Sequence, residues 1–342
     1  MGVEEELLLV DEQTLEPVAA AAGVVERAGD GVKHELMATF VETATSICAS
    51  PQEAYDEVRA LRTRVAEAAA PDALRTLAIG SHPFASPDDA PIVDNPDYVE
   101  FVEAVGPAAR RQGVCGLHVH IGMPDQETCF RAHEGVLPWL PLVLALAVNS
   151  PWFRGEKTGL LSTRAEVLAT LPRSGVPPSF GSWEGWVATM ERWIRAGVLK
   201  KPTQTWWDIR IHPALGTLEI RAPDQPTEVE RTGAFITLLH ALAVWAAEGE
   251  GPRPASRADA QTNRFFASRF GPNAKLIHPE EDRLAPVPEL YGELLERLGP
   301  FLDDGLLAPL DPAHSEAERQ LAAGDSRAAC ADAVERSLAS RA

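Results

Sequence analysis

An α+β fold organised around an antiparallel sheet is what this sequence predicts, and three observations carry the prediction. Segments of alternating apolar and polar residues, the period-two mark of a strand, are interleaved with segments of helical period, without the regular strand-helix-strand alternation of a parallel sheet. Residues 205–212 and 217–222 read as a hairpin closed by a short turn containing Gly216. The patterns G-x-G-x-x-G and G-x-x-x-x-G-K-[ST] are both absent, which removes the two nucleotide-binding folds most visible in sequence.

In chain order, strands are predicted at 3–10, 32–36, 40–47, 74–80, 114–123, 205–212 and 217–222. Helices carry clearer punctuation. Ser50-Pro51-Gln52-Glu53 is a capping box with proline at the first helical position, and its helix runs to residue 70, before Pro71. Thr227-Glu228-Val229-Glu230 repeats that signature and opens an apolar helix through 247. Asn95-Pro96 caps a helix through 112, and 183–196 reads as a fourth. Irregular stretches remain at 81–94, 149–182 and 249–260. The expected organisation is a sheet-and-helix domain over 1–248, a connector over 249–262, and a helical segment over 263–342 packed on the same domain.

The 342 residues carry 31 Lys plus Arg against 50 Asp plus Glu, a net charge of −19 that repels polyphosphate chains and anionic membranes. Neither nucleic acid nor a membrane is therefore expected as a partner. The longest apolar run, 136–148, is too short and too proline-interrupted to span a bilayer, and the acidic start Met1-Gly2-Val3-Glu4-Glu5-Glu6 lacks the basic region of a secretory signal. A cytoplasmic location follows as the expectation. Cys48, Cys115, Cys129 and Cys330 form no C-x-x-C pair and read as small buried hydrophobes.

Chemistry gathers on a few strand faces. Glu4 and Glu6 share one face of the first strand, and His118 and His120 share one face of another, opposite Leu117, Val119 and Ile121. Neutral imidazoles at this spacing reach one metal ion. In the late hairpin Asp208, Arg210 and His212 share a face, as do Glu219 and Arg221, a costly arrangement for a core unless each charge is partnered. Glu35 and Glu42 lie on two short strands joined by 37–39. Acids and imidazoles gathered on one sheet face call for divalent cations, and Mg²⁺ sits on carboxylates plus substrate phosphates. Arg154, Lys157, Arg164 and Arg173 in the long loop, with Arg210 and Arg221, supply charge for phosphate.

Gly2-Val3-Glu4-Glu5-Glu6-Leu7, Gly80-Ser81-His82-Pro83-Phe84, Cys115-Gly116-Leu117-His118-Val119-His120, Asn149-Ser150-Pro151, Thr158-Gly159 with Ser162 and Arg164, Pro172-Arg173-Ser174-Gly175, Trp207-Asp208-Ile209-Arg210 and Thr217-Leu218-Glu219-Ile220-Arg221 follow one another along the chain. In this order they resemble the carboxylate-amine ligases, the bacterial glutamate-cysteine ligase type 2 family. The resemblance covers nearly the whole chain. It implies a curved antiparallel sheet with helices on its convex side, like the catalytic domains of glutamine synthetase and the guanido kinases. The concave face would hold Mg²⁺ or Mn²⁺, with ATP at one end and an amino-acid carboxylate at the other.

Carried onto this chain, the implied metal ligands are Glu4, Glu6, Glu35, Glu42, His118 or His120, and Glu219. Arg221 and Arg210 are implied at the phosphates, Arg164 at the substrate or transferred phosphoryl group, and Arg173 and Asn149 beside the nucleotide. The implied reaction joins glutamate to an amine, cysteine by family default, through an acyl phosphate with release of ADP and phosphate. A homodimer or larger homo-oligomer goes with the resemblance. Asp97 departs from the pattern, standing where relatives often carry arginine. Two other readings of the residues are a metal-dependent hydrolase using His118 and His120, and a non-catalytic ligand sensor.

Overall fold

The computed structural model describes residues 1–249, 256–302 and 304–337. Its centre is a seven-stranded sheet built from β1 (Gly2–Asp11), β2 (Val32–His34), β3 (Phe40–Ala44), β4 (Leu74–Leu77), β5 (Leu117–Gly122), β6 (Ile209–His212) and β7 (Thr217–Ile220). The strand order is β6-β7-β5-β1-β3-β2, with β4 also paired to β1, and every pairing is antiparallel. β1 holds three neighbours because it is long: its start pairs with β5, its middle with β3 and its end with β4.

The alternation in β1 sorts two environments. Val3, Leu7 and Leu9 face the helix layer, where Val3 joins Phe235, Ile236 and Leu239 of the Val229–Ala247 helix, and Leu7 and Leu9 pack with Leu61 and Val65 of the Pro51–Ala69 helix. Leu117, Val119, Ile209, Ile211, Leu218 and Ile220 extend the same apolar face. On the other face Leu8 and Val10 pack with Phe40, Leu77, Val102 and Val334, so the Pro96–Val105 and Ser326–Ser337 helices cover that end of the sheet. The remainder of that face carries the charged residues.

Ser50 caps its helix as the sequence predicts, its hydroxyl accepting from the Glu53 amide at 3.1 Å. Elsewhere tertiary contacts overrule local signals. The helix expected from Thr227 begins at Val229 with no side-chain cap, because the Thr227 amide donates to the Glu316 carboxylate at 3.0 Å and the Thr227 hydroxyl accepts from Asn149 at 2.9 Å. The 95–112 helix breaks at Gly106, whose φ of 70° only glycine adopts readily. The 205–212 strand is interrupted at Asp208, which turns to meet Arg264 Nε at 2.6 Å.

Helices at Ala21–Ala28, Gln126–Val136, Leu140–Ala147 and Thr163–Leu168 fall in stretches where the sequence predicts none. Leu140–Ala147 is buried on every side, which erases the amphipathic period that marks a helix. The Arg257–Phe270 helix starts inside the predicted connector, while 250–255 lie outside the described residues. Among the described residues no helix is long and apolar enough to cross a membrane.

Candidate active site

Strand register assembles the charged face rung by rung. Arg210 on β6 lies opposite Glu219 on β7, Glu219 opposite His120 on β5, His118 opposite Glu4 on β1, Glu6 opposite Glu42 on β3, and Glu42 opposite Lys33 on β2. Cross-strand partners have neighbouring Cβ atoms, so this pairing alone forces the side chains into one row. Ligand atoms of Glu4, His120 and Glu219 lie within 4.8 Å of one another, and so do those of Glu6, Glu35 and Glu42.

The first group is paired yet incomplete. Arg210 donates to both carboxylate oxygens of Glu219, Nε to Oε2 at 2.6 Å and Nη2 to Oε1 at 2.9 Å, and Arg221 donates a further bond to Oε1. Burial would raise the Glu219 carboxyl, but Arg221 and Arg210 hold it well below the usual range. His120 Nδ1 meets the Thr217 hydroxyl at 3.0 Å, leaving Nε2 aimed between Glu4 at 3.7 Å and Glu219 at 3.8 Å. Buried Nε2 atoms of both His118 and His120 have no hydrogen-bond partner among the described residues. Burial drives His118 down to about 3, assisted by Arg221, so its imidazole is neutral. Burial also opposes ionisation of Glu4, and the polar attraction of the two imidazoles, His118 Nδ1 at 3.5 Å and His120 Nε2 at 3.7 Å, outweighs it, keeping Glu4 an anion.

The second group is under-neutralised. Burial raises Glu6, Glu35 and Glu42 each to about 7, and the neighbouring carboxylates push the same way: Glu42 on Glu6, Glu6 on Glu35, and Glu4 on Glu42. Three buried acids this close do not all ionise without an added cation. Arg164 and Arg221 act on Glu6, and Arg221 on Glu35, without overcoming this, and one lysine reaches the group from the sheet edge. Lys33, half-exposed on the edge strand, places its ammonium 2.6 Å from Glu42 and 3.4 Å from Glu4, bridging the two groups. Lys33 is not among the residues singled out in the sequence, although its alternation with Glu35 across a short strand is visible there.

Unsatisfied imidazole nitrogens, acids whose ionisation is opposed by burial and by one another's charge, and the oxygen-rich donor set together fit divalent cations of the Mg²⁺ or Mn²⁺ type. Arg164, expected at the substrate, is buried beneath this face. It donates to the carbonyls of Ala222 at 3.3 Å and Arg221 at 3.2 Å, and so fixes the backbone that carries Arg221. Gly116 makes room for it, since a Cβ there would come within 2.0 Å of the Arg164 guanidinium, and the Gly116 amide donates to Glu6 at 2.5 Å.

Two other expected contacts lie elsewhere. Asn149 is fully buried and saturated: Nδ2 donates to Gln225 at 2.8 Å and Thr227 at 2.9 Å, and Oδ1 accepts from Gln320 at 2.7 Å. No polar group of its amide is left for a nucleotide. Arg173 stacks on Trp206 at 5.7 Å and donates to the Gln204 carbonyl, and no hydrogen bond or ion pair joins it to the charged row among the described residues. Asp208, grouped with Arg210 in sequence, is withdrawn by Arg264, whereas His212 stays beside His120 with ring centroids 5.9 Å apart.

Two solved structures share the fold. A glutamate-cysteine ligase from Francisella tularensis, determined in complex with AMP, superimposes with a TM-score of 0.76 at 12% identity over 98% of this chain and 87% of its own. A bifunctional glutathione synthetase from Pasteurella multocida gives 0.74 at 15% identity over 98% of this chain and 52% of that longer one. Sequence relatives are nearer. A Rubrobacter xylanophilus protein provisionally named glutamate-cysteine ligase 2-3 is 39% identical over 88% of this chain and 83% of its own, and a Mycobacterium sp. strain KMS protein provisionally named glutamate-cysteine ligase 2-2 is 34% identical over 98% and 96%. The family model for glutamate-cysteine ligase family 2 matches residues 1–306, the span that contains every residue of the charged row. With fold, relatives and family model in agreement, this ligase-like enzyme belongs to the glutamate-cysteine ligase family 2.

Proposed function

We propose that this chain is an ATP-dependent carboxylate-amine ligase that activates the γ-carboxylate of glutamate as an acyl phosphate and passes it to an amine, with ADP and phosphate released. Cysteine is the acceptor to which the family name points, giving γ-glutamylcysteine. The observation that carries the reading is the row of six acids and imidazoles ending in two arginines, Glu42, Glu6, Glu4, His118, His120, Glu219, then Arg210 and Arg221. A cytoplasmic setting, where ATP is plentiful, goes with it.

Glu4, His120 and Glu219 would hold one divalent cation, and Glu6, Glu35 and Glu42 another, with His118 between them. Bound there, such ions supply charge neutralisation for phosphoryl oxygens. The protein's own contribution is position and field. Arg210 and Arg221 put fixed positive charge at the β6–β7 end, which orients a polyphosphate there and leaves the opposite end of the row for the acid and amine. Phosphoryl transfer requires little covalent help from the protein, in keeping with this site of acids, imidazoles and guanidiniums.

Metal affinity should depend on pH with a defined sign. Below pH 7 Glu6, Glu35 and Glu42 bind protons that a cation must displace, so Mn²⁺ affinity rises from pH 5.5 to 7.5, by up to about tenfold per unit, and then levels off. Calorimetry in two buffers of different ionisation enthalpy reads both the affinity and the proton release. Lys33→Met removes the competing ammonium and should tighten Mn²⁺ about tenfold. Lys200→Met, at an exposed lysine paired with Glu100, makes the same change in net charge and should leave the affinity unchanged.

The central test is ADP release from ATP and Mg²⁺ with glutamate alone, then with cysteine and other amines, with products identified by mass. Glutamate-dependent ADP release and an amide product are the expected result. ATP binding without ADP release under any of these conditions overturns the ligase reading in favour of a ligand sensor.

A further inference from the structure

The motif Gly80-Ser81-His82-Pro83-Phe84 has no member in the charged row, and its position shows what it builds instead. His82 is buried, its Nε2 on the Leu15 carbonyl at 2.9 Å and its Nδ1 accepting from the amides of Phe84 at 3.3 Å and Ala85 at 3.0 Å. The ring therefore locks the loop and presents Phe84 to a cavity of about 740 Å³. That volume lies within the range of small-molecule sites, roughly 300–1,000 Å³.

Register ties the cavity to the chemistry. Leu8 pairs with Phe40 one rung beyond the Glu6–Glu42 pair on the same face of the sheet, and both Leu8 and Phe40 line the cavity. Two residues along a strand is about 7 Å, so the cavity opens one side chain's length past the second carboxylate group. It lies away from Arg210 and Arg221, at the end of the row left for acid and amine.

Its walls specify a ligand. Met37, Phe40, Phe84 and Phe153 supply apolar and aromatic surface. Its charged lining is mostly acidic: Glu16, Asp89 and Asp325 against Arg327. Most of this charge is already committed: Arg327 to Glu16 and the Thr14 carbonyl at 3.2 Å each and stacked on Phe84 at 4.2 Å, and Asp325 to the Ala328 amide at 2.8 Å, while Asp89 is exposed with no ion-pair partner among the described residues. Asp89 thus leaves one open anion for a cationic amine, and a free carboxylate finds no uncommitted cation in the lining. A cysteine would fill only a small part of the space.

We propose that this cavity is the acceptor site of the ligase, and that its substrate is an amine with a bulky apolar or aromatic body and no free carboxylate. The inference rests on the ligase reading above. In the step it serves, the neutral amine nitrogen forms the amide N–C bond as the acyl C–O bond to phosphate breaks, and one amine proton leaves with the phosphate as hydrogenphosphate. Deprotonation of the incoming ammonium to solvent precedes attack.

The full chain, with ATP, Mg²⁺ and glutamate, is given phenethylamine, phenylalanine, ethylamine or cysteine, and ADP release and product mass are followed. Phenethylamine is expected to show a kcat/KM at least about tenfold above each of the others, a size of discrimination that an apolar pocket supplies. Ala85→Trp, which fills the cavity from its loop, should raise KM for phenethylamine about tenfold or more with KM for ATP unchanged. Phe84→Ala should narrow the preference for phenethylamine over ethylamine. Fastest turnover with cysteine, phenylalanine or ethylamine overturns the acceptor assignment and leaves the ligase reading standing, as does an unaltered phenethylamine KM in Ala85→Trp. Failure of every amine and of glutamate alone to release ADP overturns both.

Discussion

Glu219→Gln is expected to lower glutamate-dependent ADP release by about 10³-fold or more while the chain stays folded. Glu219 is completely buried at the junction of everything the site needs: Arg210 on both oxygens, Arg221 on one, and His120 Nε2 at 3.8 Å. The amide keeps the shape but withdraws the negative charge, so a cation loses a ligand and the two arginines lose the anchor that aims them. Circular dichroism and a melting curve distinguish loss of the site from loss of the fold. Mn²⁺ titration should lose one site and retain the Glu6, Glu35 and Glu42 site. A Glu219→Gln enzyme with wild-type turnover would remove this group from the mechanism, and with it the assignment of Glu4 and His120 to a shared ion.

The largest stability effect is expected behind the sheet. Glu5 points away from Glu4 and Glu6 into the helix layer, where Arg62 binds both its oxygens at 2.6 and 2.8 Å and Gln225 and Thr232 each add a bond at 2.8 Å. Arg62 also donates to the carbonyls of Thr227 at 2.6 Å and Pro226 at 2.9 Å, tying β1 to the Pro51–Ala69 helix and to the start of the Val229–Ala247 helix. Arg62→Met leaves an uncompensated carboxylate in the core and should destabilise the chain by about 3–5 kcal/mol in urea unfolding. The double variant Glu5→Leu with Arg62→Met removes both charges and should regain much of that loss. If the double variant is no more stable than the single one, the hydrogen bonds to the 226–227 carbonyls, rather than the ion pair, hold this junction.

What could be read from the chain alone was what depends on short periods. Alternation put Glu4 with Glu6, His118 with His120, and Glu219 with Arg221 on common faces, because neighbouring side chains on a strand point to opposite sides wherever the strand is placed. Helix starts at Ser50 and Asn95 were legible because capping is settled within four residues. Arg62 was legible in principle: it lies on the stripe of Ala54, Val58, Leu61, Val65 and Ala69 that the Pro51–Ala69 helix buries, and an arginine on such a stripe requires an internal anion.

Which charges work together was decided by register across strands distant in sequence. Nothing in the sequence states that Glu6 faces Glu42, that Lys33 completes that rung, or that Leu8 and Phe40 continue it into a cavity. The same holds for the polar residues that turned inward. Asn149, Arg164 and Asp208 have the chemistry of ligand contacts, and only packing gave their hydrogen bonds to Gln320, the Arg221 carbonyl and Arg264. The sequence determined the kinds of groups and the faces they share, since those follow from backbone geometry over a few residues. Tertiary structure determined the partners, because a buried charge is satisfied by whichever group the fold brings within about 3 Å, however far along the chain it lies.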